Sequence, residues 1–463
     1  MSMGLYLALR IKDLERRSAT LPEEIDYWLT RASEHEILEK NASQLEALDL
    51  FMGRLIERTG QAMASLKACR DTKMCLELAV TVVDYLYKTH SIWDFFRDKL
   101  ETRLVPAFQS ALLMSDLIAH DCYTSIINRA HLLQLDPPSG FRQYPLVYLN
   151  AETSPATWVR GSRPEEIRRF EDSRLPIPVI EIPWDYTATP WNLLFISHEV
   201  AHDLDVDLNS LSASIAMNLA SSLEHRGVPA QRIQCWEAWT AEILADLLAV
   251  LLSGPAYSCA LANQLLLPRD MTVEIDRKLA HPAPAVRLYL NTAFVRTLGQ
   301  SGDVFDKSAK ALEDRWGEVY GEPSSQINLF LDDLTDVVSA VADTPLRSVG
   351  APDRMPCLRD LAIYSANDHV YVQDLAASLA SGLPIETVPL LSLRHIVAAS
   401  FYAFEQVMAI RAEDMDEQLQ RLAKTSSELI LRQAPPGQLP ARIASDRVRA
   451  YLVALADEFL DSI

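Results

Sequence analysis

The sequence predicts a mainly α-helical chain with one small sheet near its middle. Three observations carry this expectation. Glycine is scarce, 14 of 463 residues, which disfavours all-β architectures and glycine-rich nucleotide folds, both of which need many positive-φ turns. Leu, Ala, Glu and Arg are abundant, and these residues lose little on entering a helix. Apolar residues recur at helical spacing over long stretches, whereas only two short runs are β-branched or aromatic. A hydrophobic content of 49% with 23% charged residues is globular, and 463 residues exceed one compact core.

From residue 21 to about 133 the pattern is helical, as in Leu38, Leu45, Leu48, Phe51 and Leu55. Pro137-Pro138-Ser139-Gly140 interrupts it. Residues 144–150 and 177–182 are the expected strands. Pro176, Pro178 and Pro183 bracket the second, which suits an edge strand because proline cannot donate to a ladder. Helical spacing returns from Trp191 to about Val341. Residues 344–356 are rich in Pro, Gly and Arg and read as a linker. Helical residues 372–431, a break at Pro435-Pro436-Gly437 and a closing helix at 441–459 follow. The expected organisation is a helical region 1–140, a core 141–343 carrying the chemistry, and a helical region 344–463.

The formal net charge is −20, and no long basic run provides a nucleic-acid face. Arg160, Arg163, Arg168 and Arg169 are interspersed with acids and read as a solvated loop. Six scattered cysteines without a CxxC pair read as reduced thiols, hence a cytoplasmic setting. The first 17 residues lack a signal-peptide core. Residues 247–268 carry no charge, but Ser253-Gly254-Pro255 divides them, so two buried helices are expected rather than a membrane span.

The chemistry lies in Ser197-His198-Glu199-Val200-Ala201-His202. In an HExxH helix both histidines share one face and reach one metal ion, and the intervening glutamate faces the water to be activated. With 10 His in 463 residues, the pattern arises by accident in only about 0.01 chains of this kind. A hydrolytic zinc site needs a third protein ligand. Glu242 and Asp246, in ExxxD spacing within an apolar run, supply a candidate ligand and a partner one turn on that orients a ligand histidine, expected to be His198. Glu237 is a weaker competitor off that face.

Further on stands His281-Pro282-Ala283-Pro284-Ala285-Val286-Arg287. HExxH, ExxxD and HPxxxxR together resemble the gluzincin metallopeptidases, in particular the families of the CAAX prenyl protease and of the heat-shock protease HtpX. Ala245-Asp246 matches their alanine–aspartate pair. The resemblance spans residues 191–287 and implies a zincin-like core. It also implies that His281 stabilises the oxyanion; Tyr257 and Tyr289 are reserve donors on our own reading of the residues. Arg287 is expected to pair with Asp246 or another site carboxylate. Those relatives are membrane enzymes, whereas this chain shows no span.

The expectation is therefore a zinc-dependent metallohydrolase acting on a peptide or protein. His198, His202 and Glu242 hold Zn²⁺, Glu199 is the general base, and Val179, Ile180 and Glu181 form the edge against which substrate extends. The alternatives are a zinc-bound interaction module and a hydrolase of a non-peptide bond. Asp203, Asp205 and Asp207 read as a solvated helix end, with Asp203 an outside candidate for the metal surroundings. Trp236 and Trp239 read as core.

Overall fold

The computed structural model describes residues 3–33, 36–135, 143–162, 175–208, 210–276, 278–300, 302–347, 355–383, 385, 392–410, 413–435, 439 and 446–461. The break at 137–140, Arg163, Arg168 and Arg169 lie outside them. The chain is mainly helical with one small mixed sheet, as its composition requires.

Four long helices come first: α1 (Met3–Ser33), α2 (Ala42–Ala68), α3 (Thr72–Thr102) and α4 (Pro106–Leu132). Asp71 starts α3 by accepting the Met74 amide at 2.8 Å. Three strands follow, β1 (Leu146–Asn150), β2 (Ala156–Trp158) and β3 (Val179–Pro183). Next come α5 (Ile196–Asp207), α6 (Leu211–His225), α7 (Ala230–Ala238), α8 (Thr240–Ser253), α9 (Pro255–Gln264), α10 (Arg269–Thr272) and α11 (Pro284–Arg296). The chain closes with α12 (Val304–Tyr320), α13 (Ser325–Leu331), α14 (Leu334–Ala342), α15 (Ala366–Ser381), α16 (Leu393–Ile410), α17 (Met415–Arg432) and α18 (Asp446–Asp461).

The sheet order is β1-β3-β2, with β1 parallel and β2 antiparallel to β3. This corrects the edge-strand expectation for Val179, Ile180 and Glu181, since β3 is central and paired on both sides. Its prolines mislead because Pro178 precedes the strand and Pro183 ends it, where a missing donor costs little. Glu181 is also engaged internally, accepting from Tyr148 Oη, Asn150 Nδ2 and Trp158 Nε1.

The sheet separates two cores. Val147, Ile180 and Ile182 face a large core that runs from α4 through α17. Leu146 and Val179, one residue out of phase, face a smaller core of α1–α3 and α18. The expected region 344–463 thus divides, with α15–α17 in the large core and α18 on the N-terminal helices. Buried Asp116 of α4 ties these parts together. It accepts from Arg103 Nε (3.0 Å) and Nη2 (2.9 Å), Asn41 Nδ2 (3.1 Å) and the Val147 amide (3.0 Å).

The apolar run at 247–268 is two helices, α8 and α9, broken at Gly254 (φ +64°). Among the described residues no helix is long and apolar enough to cross a membrane.

Candidate metal centre

Pro190 and Trp191 open a short 3-10 turn that leads directly into α5, and Ser197 Oγ caps back onto the Leu194 carbonyl at 2.7 Å. His198 and His202, four residues apart, therefore project from one face. α8 packs closely against α5 and brings Glu242 in its first turn to the two imidazoles. His198 Nε2 lies 3.3 Å from His202 Nε2 and 3.1 Å from Glu242 Oε2, and His202 Nε2 lies 3.6 Å from Glu242 Oε1. Zinc–ligand bonds of about 2.0–2.1 Å at tetrahedral angles place neighbouring ligand atoms about 3.3 Å apart. The three side chains form a group able to hold a metal ion. Glu237 is exposed and takes no part.

Behind His198, Asp246 is fully buried and accepts four hydrogen bonds. Oδ1 receives Tyr257 Oη (2.6 Å) and Arg287 Nη2 (2.8 Å) and lies 3.0 Å from His198 Nδ1. Oδ2 receives Arg287 Nε (2.8 Å) and Asn291 Nδ2 (2.9 Å). The expected His198–Asp246 and Arg287–Asp246 contacts are both present. With Nδ1 set toward Asp246, His198 presents Nε2 to Glu242 and His202, the nitrogen a metal ion would take. Tyr257 cannot serve as a reserve oxyanion donor, because its hydroxyl points to Asp246 and the Nδ1 side of His198. Tyr289 lines a separate small cavity beside Trp316 and Tyr320.

The electrostatics follow from burial and close pairing. In the protein alone, burial opposes a charge on His198, but Asp246 and Glu242 on either side raise its pKa to about 10. Burial and the neighbouring His198 push His202 down. Burial also opposes ionisation of Glu242 and Asp246. The histidines around Glu242, and Arg287 with His198 around Asp246, hold both carboxyls far below the usual range.

Glu199 is buried, and Thr157 Oγ1 on β2 lies 2.6 Å from its Oε2 and 3.1 Å from its carbonyl oxygen. The sequence held no signal for Thr157, since β2 is three residues long in a polar stretch. His281 is half-exposed and sets Nε2 2.9 Å from Glu242 Oε2. A cavity of about 420 Å³ opens over the group, lined by His198, Glu199, His281 and apolar residues including Phe195, Leu261 and Leu265.

The end of α5 is not the solvated terminus expected. Asp203 and Asp207 are buried, and Asp207 pairs with buried Arg160 (Nε to Oδ1, 3.2 Å) and accepts from Tyr123 Oη at 2.5 Å. Arg160 also donates to the carbonyls of Gln143 and Pro176, so it is a structural strut rather than a loop charge. Only Asp205 behaves as a helix-end residue, accepting from the Ser212 amide and hydroxyl. Trp236 and Trp239 are core, as expected, packing edge-to-face at 5.6 Å.

Compared with known proteins, the chain matches no family model, no curated protein and no solved structure.

Proposed function

We propose that the protein is a zinc-dependent hydrolase of peptide bonds. One observation carries this reading. The ligand atoms of His198, His202 and Glu242 converge at tetrahedral-edge spacing, with Glu199 beside them and a cavity above. Zinc held by these three residues would supply Lewis acidity. Glu199, steadied by Thr157, would take a proton from the attacking water and return it to the leaving amine. Asp246 would orient His198 through Nδ1, and Arg287 with Asn291 would keep Asp246 ionised and in place. His281, at the cavity rim, would donate to the developing oxyanion.

An extended substrate would pair with the outer side of β2, which borders β3 on one side and brings Thr157 to Glu199. This replaces β3 as the substrate-bearing strand.

The test joins metal content to activity. Purified protein should hold about one zinc per chain, and Glu199→Gln should keep the metal while losing hydrolysis of a peptide library. Metal-free protein with His198 and His202 intact would refute the zinc site. Full hydrolysis by Glu199→Gln would refute the assigned base.

A further inference from the structure

A second cavity, of about 1040 Å³, lies on the opposite flank of α9 from the candidate metal centre. Tyr257 and Leu261 of α9 face the metal-site cavity, whereas Cys259 and Ala262 face this one. Its other walls come from α12 and α16, with Met415 at the start of α17. The lining is mainly apolar, with Leu312, Trp316, Phe404 and Met408, and its polar members are Asn263, Arg315 and Glu405. Leu266, Val319 and Met408 remain exposed around it, an apolar mouth that folding alone does not explain. At the upper end of ligand-pocket sizes, this volume suits a small apolar molecule.

The polar groups define what kind. Arg315 Nη1 donates to Glu405 Oε1 at 2.9 Å, and Arg315 Nη2 points at the Cys259 sulfur at 3.5 Å, a weak acceptor. The guanidinium therefore retains donor capacity beside the cavity, and the neighbouring carboxylate retains acceptor capacity. The pair is neutral as a unit, so neither an anionic nor a cationic head is matched. A head that accepts from Arg315 and donates to Glu405 is.

We infer that this cavity binds an uncharged single-chain amphiphile, such as a long-chain alcohol or primary amide, with its chain against α12 and α16 and its head at the Arg315–Glu405 pair. The inference is independent of whether the metal centre is catalytic.

The test is calorimetric titration of the full chain with 1-decanol, decanoate and decylammonium. Decanol should bind at one saturable site at least tenfold more tightly than either ion, and each methylene removed should weaken binding about fourfold. Ala409→Trp, on the exposed rim, should abolish binding while leaving the thermal midpoint unchanged. Glu405→Gln should turn the preference towards decanoate, because Arg315 then lacks its counter-charge. No saturable decanol binding, retained binding in a folded Ala409→Trp, or a wild-type preference for decanoate would each overturn the proposal. So would an 18-residue Leu/Lys helical peptide that binds the wild type but not Ala409→Trp while decanol gives no heat. That result would mark a protein-docking groove.

Discussion

Arg287 holds both oxygens of Asp246, Nε to Oδ2 and Nη2 to Oδ1, each at 2.8 Å, with both side chains buried. The pair sits directly behind His198, so in the proposed zinc site metal affinity and fold stability would be linked there. Asp246→Asn should weaken zinc binding about 10–100-fold, read by chelator competition. It should also cost about 3–5 kcal/mol in denaturant unfolding, because buried Arg287 loses its bidentate partner and keeps only Glu242, 3.9 Å from Nη2. The double variant Asp246→Asn/Arg287→Met should recover part of the stability but not the zinc affinity. A single variant with unchanged affinity would remove Asp246 from the site.

Thr157 provides a separate check on the base. Its hydroxyl is the contact that fixes one oxygen of Glu199 from the sheet side. Thr157→Val should lower kcat about tenfold, with zinc content and KM little changed, and Thr157→Ser should restore it. Equal losses in the Val and Ser variants would show that Thr157 acts through packing instead.

His281 tests the oxyanion assignment. Placed 2.9 Å from Glu242 yet half-exposed, it is near the ligand group without being enclosed by it. His281→Ala should retain zinc and reduce kcat about 10²–10³-fold. Loss of zinc in this variant would instead assign His281 to metal binding.

Part of the acid sensitivity should come from two histidines far in sequence from the candidate metal ligands, His120 and His395. Burial lowers His120 and His395 to about 4 from the usual 6.5, Asp121 partly opposing this for His120 and Arg394 adding to it for His395. His120 Nε2 and both ring nitrogens of His395 lack partners among the described residues. The unfolded chain therefore binds more protons as pH falls below about 6.5. Stability should decline by up to about 1.4 kcal/mol per pH unit for each histidine, down to about pH 4. Denaturant unfolding between pH 7 and 4 measures this slope. His395→Leu should make it shallower, and an unchanged slope would contradict the assignment.

Gly254 should tolerate no side chain. It joins α8 to α9 at φ +64°, and a Cβ there would lie 2.2 Å from the Tyr364 ring. Gly254→Ala should cost at least about 1–3 kcal/mol from backbone strain alone, with the ring clash added. A thermal midpoint equal to the wild type would show that the junction relaxes.

The helical class, the break at Gly254 and the His198, His202 and Glu242 group able to hold a metal ion were legible in the sequence because each is local. Scarce glycine and 3.6-residue spacing act within a segment, and His198 with His202 is a spacing along one helix. Glu242 and Asp246 were legible because acids in an apolar run need a partner. What the sequence could not determine is which surfaces meet. Proline placement suggested that β3 was an edge, but pairing is set by β1 and β2 arriving from elsewhere in the chain. Asp207 and Arg160 read as solvated charges because the ion pair that buries them spans 47 residues of chain, and Asp203 reads so because the packing that buries it is tertiary. Thr157 and Asn291 carried no signal, since a single polar residue acquires a role only when tertiary packing brings a carboxylate within hydrogen-bond reach.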